Sequence, residues 1–286
     1  MVNYKIHENG WTIIIENFDL RFSTQEDIDH IARLLATNTI VVIRNQKLST
    51  QDEVRIVKMF KDPQVFDVTT DKWADYIGCE VPKSENLAFR VTGEKDEQGR
   101  QGLAGHEDEL QWHANDATTS DRKSIVWLYA VRGSEGSRTS WNNNIVSYEN
   151  LDLAKKLQFN KLQWIPFGET SDYDSIFTSD ESNVIAENYE PNLVVTNIAG
   201  QTGLYCPFLQ IASFKGMSKE ESKDLIAWLA EYTTQEKFCY HHDWKDGDLI
   251  ISEQWLGIHR RWPFKGIEKR LLHRMAFDFP EQNYIS

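Results

Sequence analysis

From about Asn86 onward the chain is a succession of short runs rich in β-branched and aromatic residues, separated by polar loops. LAFRVTG, SIVWLYAV, NLVVTN, KFCYHHDW and DLIISEQ are five of them. Such runs fit a pleated, half-buried surface, and each reads as a strand. Helical signals lie mostly before them. Ser23-Thr24-Gln25-Glu26 reads as a capping box led by Ser23, with Ile28, Ile31 and Leu35 repeating on one face behind it. Thr39 to Gln46 (TIVVIRNQ) reads as a buried strand, and Ser49 to Phe60 as a second capped helix. One late helix, capped by Ser218, carries Leu225, Trp228, Leu229 and Tyr232 as its apolar stripe. Many strands with helices at the start and on one side predict an α+β fold, mainly β. The expected form is a β-sandwich with helices packed outside it. With 286 residues, 40% of them apolar, the chain can bury one large core, and residues 1–286 read as a single domain. Glu94 to Gly102 reads as a hairpin or lid within it.

The net charge of −13 argues against a nucleic-acid backbone or an anionic membrane as the main partner, since both need a basic footprint. Cys79, Cys206 and Cys239 form no CxxC pair and no even framework, which suits a reducing compartment. The opening MVNYKIHENGWTIIIENF lacks the apolar core of a signal peptide, and no later run is long enough to span a bilayer. The expectation is a cytoplasmic protein acting on a small molecule, with a homo-oligomer compatible with the sequence.

The chemistry gathers around LQWHANDATTS, Leu110 to Ser120. Residues two apart in a strand share a face, so a His-x-acid pair offers one metal two ligands. A histidine from a distant strand completes a facial set of three, leaving open positions for a cosubstrate and oxygen, as in non-haem Fe(II) oxygenases. Here His113 starts the pair, and His259 in SEQWLGIHRRWPF is the distant candidate. Arg270 and Arg274 follow in EKRLLHRMAF, where a guanidinium can hold a carboxylate in a two-pronged fork.

These segments together resemble the taurine dioxygenase-like (TauD/TfdA) family of Fe(II)- and 2-oxoglutarate-dependent oxygenases, nearly end to end. TIVVIRNQKLSTQDEVRIVKMF is similar to that family's amino-terminal strand, R-x-Q turn and helix. LQWHAND matches its W-H-x-D segment except at the acid, and GSRTSWNNNIVSYENL its Thr-containing strand entering a helix. WKDGDLIISEQWLGIHRRWPF matches the segment that delivers the distal histidine, with Glu253-Gln254 where Asp-Asn usually stands. The resemblance implies a double-stranded β-helix (jelly-roll) core with helices outside. It implies iron on His113 and His259, and Arg270 and Thr139 on the far carboxylate of 2-oxoglutarate with Arg274 close by. It also implies O2 as oxidant, with succinate and CO2 released as the substrate is hydroxylated.

The departure is Asn115, standing where the family places its acidic ligand. Iron(II), a carboxylate and the 2-oxoglutarate dianion sum to one negative charge; a neutral amide makes the sum zero, and a bound chloride would restore it. Three readings stay open. Asn115 is a weak ligand in an oxygenase, with Asp116 or water as stand-ins; or the chain is a halogenase or related group-transfer enzyme; or it is a relative without turnover that binds a metal, a small acid or a protein partner. Asp116 in a regular strand faces away and needs a bulge or turn to reach the metal.

Other residues have plainer readings. His241-His242 are strand neighbours on opposite faces, one inward and one solvated. His106 and Asp108 read as loop residues and are the rival ligands should the register differ. Arg90 reads as an outer-face charge, and Trp112 and Trp255 as walls of the site.

Overall fold

A computed structural model of the chain describes residues 2–62, 89–95, 102, 104–118, 120, 122–167 and 189–284. Cys79 and most of the Glu94–Gly102 loop lie outside them. Strands β1 (Lys5–Ile6), β2 (Ile13–Ile15) and β3 (Ile40–Ile43) enclose helix α1 (Gln25–Asn38), and helix α2 (Thr50–Phe60) follows. Then come β4 (Phe89–Val91), β5 (Leu110–His113), β6 (Ile125–Arg132) and β7 (Arg138–Asn142). Two short helices, α3 (Asn144–Glu149) and α4 (Leu153–Phe159), precede β8 (Trp164–Pro166), β9 (Val194–Thr196), β10 (Thr202–Leu204) and β11 (Ile211–Phe214). Helix α5 (Lys219–Thr233) leads into β12 (Cys239–Asp243), β13 (Leu249–Glu253), β14 (His259–Arg261) and β15 (Leu271–Phe277).

The strands form a seven-stranded sheet, ordered β1-β2-β3-β13-β6-β15-β4, and a four-stranded sheet, ordered β12-β7-β14-β5. Pairing is antiparallel throughout, except between β2 and β3. Two further pairs, β9–β10 and β8–β11, lie apart from these sheets. Strand alternation then sorts the large sheet's side chains into two cores. Val41, Trp127, Ile251, Met275 and Phe277 pack with Ile31 and Leu35 of α1 and Val57 of α2. Their neighbours Val42, Ala130, Ile250 and Leu272 pack instead with Trp141 and Tyr240 of the small sheet. The large sheet is therefore lined by helices on one face and by the small sheet on the other. Helix α5 sets Leu229 into a third core with Phe159, Trp164 and Phe214.

Two local expectations shift. The first capping box belongs to Thr24 and Asp27, one residue later than the sequence suggests. Ser23 is drawn back by a 3-10 turn and donates its hydroxyl to the Leu20 carbonyl at 2.8 Å. The strand within TIVVIRNQ spans only Ile40–Ile43. Beyond it, the Gln46 side chain accepts from Leu20 N–H and donates to the carbonyls of Phe18 and Arg44, fixing a turn.

Candidate active site

His113 and His259 meet across the β5–β14 ladder as a directly opposed pair, with ring centroids 4.2 Å apart. Both are buried, and Trp141, opposite His259 on β7, stacks on its ring at 6.1 Å. Burial holds the His113 imidazole down at about 4, and holds His259 well below its ordinary value, with the His113 and Arg274 charges adding to the effect. Both rings are thus neutral at pH 7, the form that binds a metal. His113 Nδ1 lies 2.6 Å from the Gln111 carbonyl, so it carries the proton and leaves Nε2 as the lone-pair atom.

Strand β5 ends at His113, so the alternation expected to carry on to Asn115 and Asp116 does not apply. Ala114 is taken out of the ladder by Gln210, whose amide bonds both the N–H and the carbonyl of that residue, at 2.9 and 3.0 Å. Asn115 Nδ2 donates to Gln254 Oε1 at 3.0 Å, and Asn115 N–H donates to the same oxygen at 3.3 Å. Asp116 adopts a left-handed backbone (φ 54°), and its carboxylate lies 3.5 Å from the Arg274 guanidinium. Among the described residues, no cluster of three or more His, Cys, Asp or Glu side chains is placed to hold a metal. Two neutral imidazoles opposed across a ladder are donors that suit a dication.

Arg274 lies on the inner face of β15, in step with Leu272, and its charge reaches both histidines. Arg270, just before that strand, is 1% exposed, and its Nε and Nη2 lack hydrogen-bond partners among the described residues. Burial pushes this guanidinium down to about 9, with Arg261 adding like-charge repulsion; it remains a cation at neutral pH. Thr139 and Arg261 are cross-strand partners on β7 and β14. The Thr139 hydroxyl accepts from Trp244 Nε1 at 2.9 Å and keeps its own proton to donate. A buried guanidinium without an acceptor is costly, and a carboxylate in a fork relieves that cost.

The structure opposes His113 and His259 across one ladder, sets Arg274 close enough for its charge to act on both, and places Thr139 and Arg261 opposite each other. Arg261 was not singled out from the sequence, although its two-residue offset from His259 on a strand was the available signal. Its guanidinium donates to the carbonyls of Ala104, His106 and Asp108, holding their loop against the small sheet. His106 and Asp108 are thereby loop residues. Trp112, expected to wall the site, faces the other way and packs with Phe208 and Ile258. Trp255 instead packs on Arg122, another residue the sequence did not flag: that guanidinium lies 3.8 Å from the Trp255 ring and 4.0 Å from Tyr205. His242 is buried against Asp248, which also pairs with Arg44 at 2.5 Å, while His241 is partly exposed. Arg90 pairs with Glu94 on the helix-lined side, level with His273.

The sequence profile described as "Taurine catabolism dioxygenase TauD, TfdA family" matches residues 8–276. The chain is 21% identical over 266 residues to an alpha-ketoglutarate-dependent 2,4-dichlorophenoxyacetate dioxygenase of Cupriavidus pinatubonensis, covering 91% of this chain and 92% of that protein. It is 20% identical over 278 residues to pentalenolactone F synthase of Streptomyces avermitilis, covering 89% and 87%. Among solved structures it is similar to AAD-2 in complex with Mn(II) and N-oxalylglycine, with a TM-score of 0.80, 18% identity and 99% of each chain covered. A taurine dioxygenase from Burkholderia xenovorans aligns with a TM-score of 0.73 at 18% identity, over 96% of this chain and 89% of that one.

Proposed function

Because the chain belongs to the TauD, TfdA dioxygenase family, we propose that it oxidises a small organic molecule with O2 while converting 2-oxoglutarate to succinate and CO2. We read the two facing sheets as a double-stranded β-helix whose interior holds the site. His113 and His259 hold Fe(II), Asn115 stands at the third protein position, and Arg270 and Thr139 take the far carboxylate of 2-oxoglutarate. Arg274 supplies positive charge beside them. The metal and cosubstrate supply the oxidising chemistry; this chain positions them and keeps water out. The carrying observation is one pair of neutral, buried imidazoles opposed across two strands, together with a buried Arg270 whose Nε and Nη2 have no hydrogen-bond partner among the described residues. The compounds in the relatives' names, 2,4-dichlorophenoxyacetate and pentalenolactone F, point to small organic acids or lactones as the first compounds to try. A cytoplasmic location goes with this reading.

Anaerobic titration with Fe(II) and 2-oxoglutarate tests it. The visible charge-transfer band of the chelate is expected in the parent and lost in His113→Ala and His259→Ala. Absence of the band in the parent would refute the assignment. A halogenating variant of the chemistry is the second reading, supported by Asn115 standing where a carboxylate is usual. It predicts that chloride strengthens the band; a chloride-independent band removes it.

A further inference from the structure

Resting on that reading of the metal site, we infer that Gln254 is a positioning residue: it holds the Asn115 amide so that its oxygen is presented as a neutral third donor, while Arg274 draws Asp116 away from that role. Gln254 Oε1 receives two N–H groups from one residue, the Asn115 backbone at 3.3 Å and its Nδ2 at 3.0 Å. Only an oxygen can accept both, so this end of the Gln254 amide is fixed. The other end, Nε2, then donates to Ser252 Oγ at 3.0 Å. Gln254 is buried, and Ser252, two residues earlier on β13, is buried beside it. With Nδ2 committed to Gln254, Oδ1 is the atom of Asn115 left to face a cation.

Asp116 is the anionic alternative, one residue away. Its carboxylate lies 3.5 Å from an Arg274 nitrogen, on a left-handed backbone outside the strand. An ion pair at this distance beside a buried guanidinium opposes transfer of the carboxylate to a metal. With an acid at 115, Gln254 Oε1 would face a second acceptor, and turning the amide over would point its NH2 at the backbone N–H of residue 115. Residues 115 and 254 are therefore matched to each other.

The test measures Mn(II) affinity in the full-length protein, with 2-oxoglutarate affinity and thermal unfolding of each variant as controls. Gln254→Met keeps the side chain's length and removes its amide; Mn(II) binding should fall roughly tenfold to a hundredfold, the usual range for partners that orient a ligand. Gln254→Glu still accepts both N–H groups and should restore most of the affinity, which a role in packing alone would not require. In an Asn115→Ala background, Gln254→Met should have little further effect, because its action runs through Asn115. Asp116→Asn should leave Mn(II) affinity within about threefold of the parent. Full persistence of the Gln254→Met loss without Asn115, or parental affinity in Gln254→Met, overturns the inference. So does a large metal loss in Asp116→Asn, which would make Asp116 the ligand. Failure of the underlying site reading has a separate signature: Mn(II) binding that His113→Ala and His259→Ala leave intact.

Discussion

Glu253 offers a measurement that needs no substrate. Its side chain is 1% exposed; Oε2 accepts from Leu256 N–H at 2.6 Å, while Oε1 has no partner among the described residues. Burial pushes the carboxyl up from 4.5 to about 7, against the opposing pull of that backbone N–H and of Arg122. The folded protein therefore binds this proton more tightly than the unfolded chain does. Its contribution is fully present below about pH 4.5 and is lost as pH rises towards 7. A rise of that size corresponds to about 3 kcal/mol of stability forfeited on the alkaline side, at about 1.4 kcal/mol per pH unit. Gln at this position keeps an acceptor for Leu256 and never ionises. Urea unfolding of parent and Glu253→Gln at several pH values from 5 to 8.5 reads the difference. The variant should be the more stable above pH 7, by about 2–3 kcal/mol relative to its standing at pH 5. Parallel stability curves for the two proteins would show that Glu253 is charged across this range and that the burial argument is wrong.

Other outcomes follow from the same geometry. Arg270→Ala should weaken 2-oxoglutarate by on the order of a hundredfold and leave Mn(II) affinity nearly unchanged, with Arg270→Lys recovering only part, as read by calorimetric titration. Gly133 has φ 65°, and a Cβ there would meet the Lys269 carbonyl at 2.3 Å. Gly133→Ala should therefore destabilise the fold by about 2 kcal/mol or more and, by shifting the neighbour of Arg270, weaken 2-oxoglutarate as well. Beneath the large sheet, the fully buried Glu53 accepts from Trp127 Nε1 at 3.0 Å and bonds His273 at 2.7 Å. Glu53→Ala strands both partners and should cost about 3–5 kcal/mol in chemical denaturation, whereas an effect under about 1 kcal/mol would mean that water replaces it.

The local signals in the chain were legible where short-range physics decides them. Ser49 and Ser218 cap their helices as their Ser-x-x-acid patterns imply. The β-branched runs became strands, and the adjacent His241 and His242 divided between faces because side chains alternate along a strand. Where another partner intervened, near or far in the chain, the local reading slipped. A 3-10 turn took Ser23 from its cap, and Gln210 ended β5 at His113, so that no strand alternation orients Asn115 and Asp116. Trp112 lies beside a metal-ligand candidate in sequence yet faces another core, because neighbours on a strand point apart.

By itself, the sequence determined the inventory of the site: two histidines in strand-like segments, a carboxylate missing at position 115, and arginines spaced along a closing strand. Its order and flanking residues were also enough to place the chain near one family. Only the tertiary structure decided which of these groups meet. The β5–β14 register sets His113 directly opposite His259. Packing of the two sheets brings Gln254 to Asn115 across 139 residues, and leaves Nε and Nη2 of the buried Arg270 without partners among the described residues. The physical reason is range. Propensity, capping and alternation act over a few residues, whereas hydrogen-bond partners and desolvation at this site come from strands far apart in the chain, fixed only when the sheets pair and close over one another.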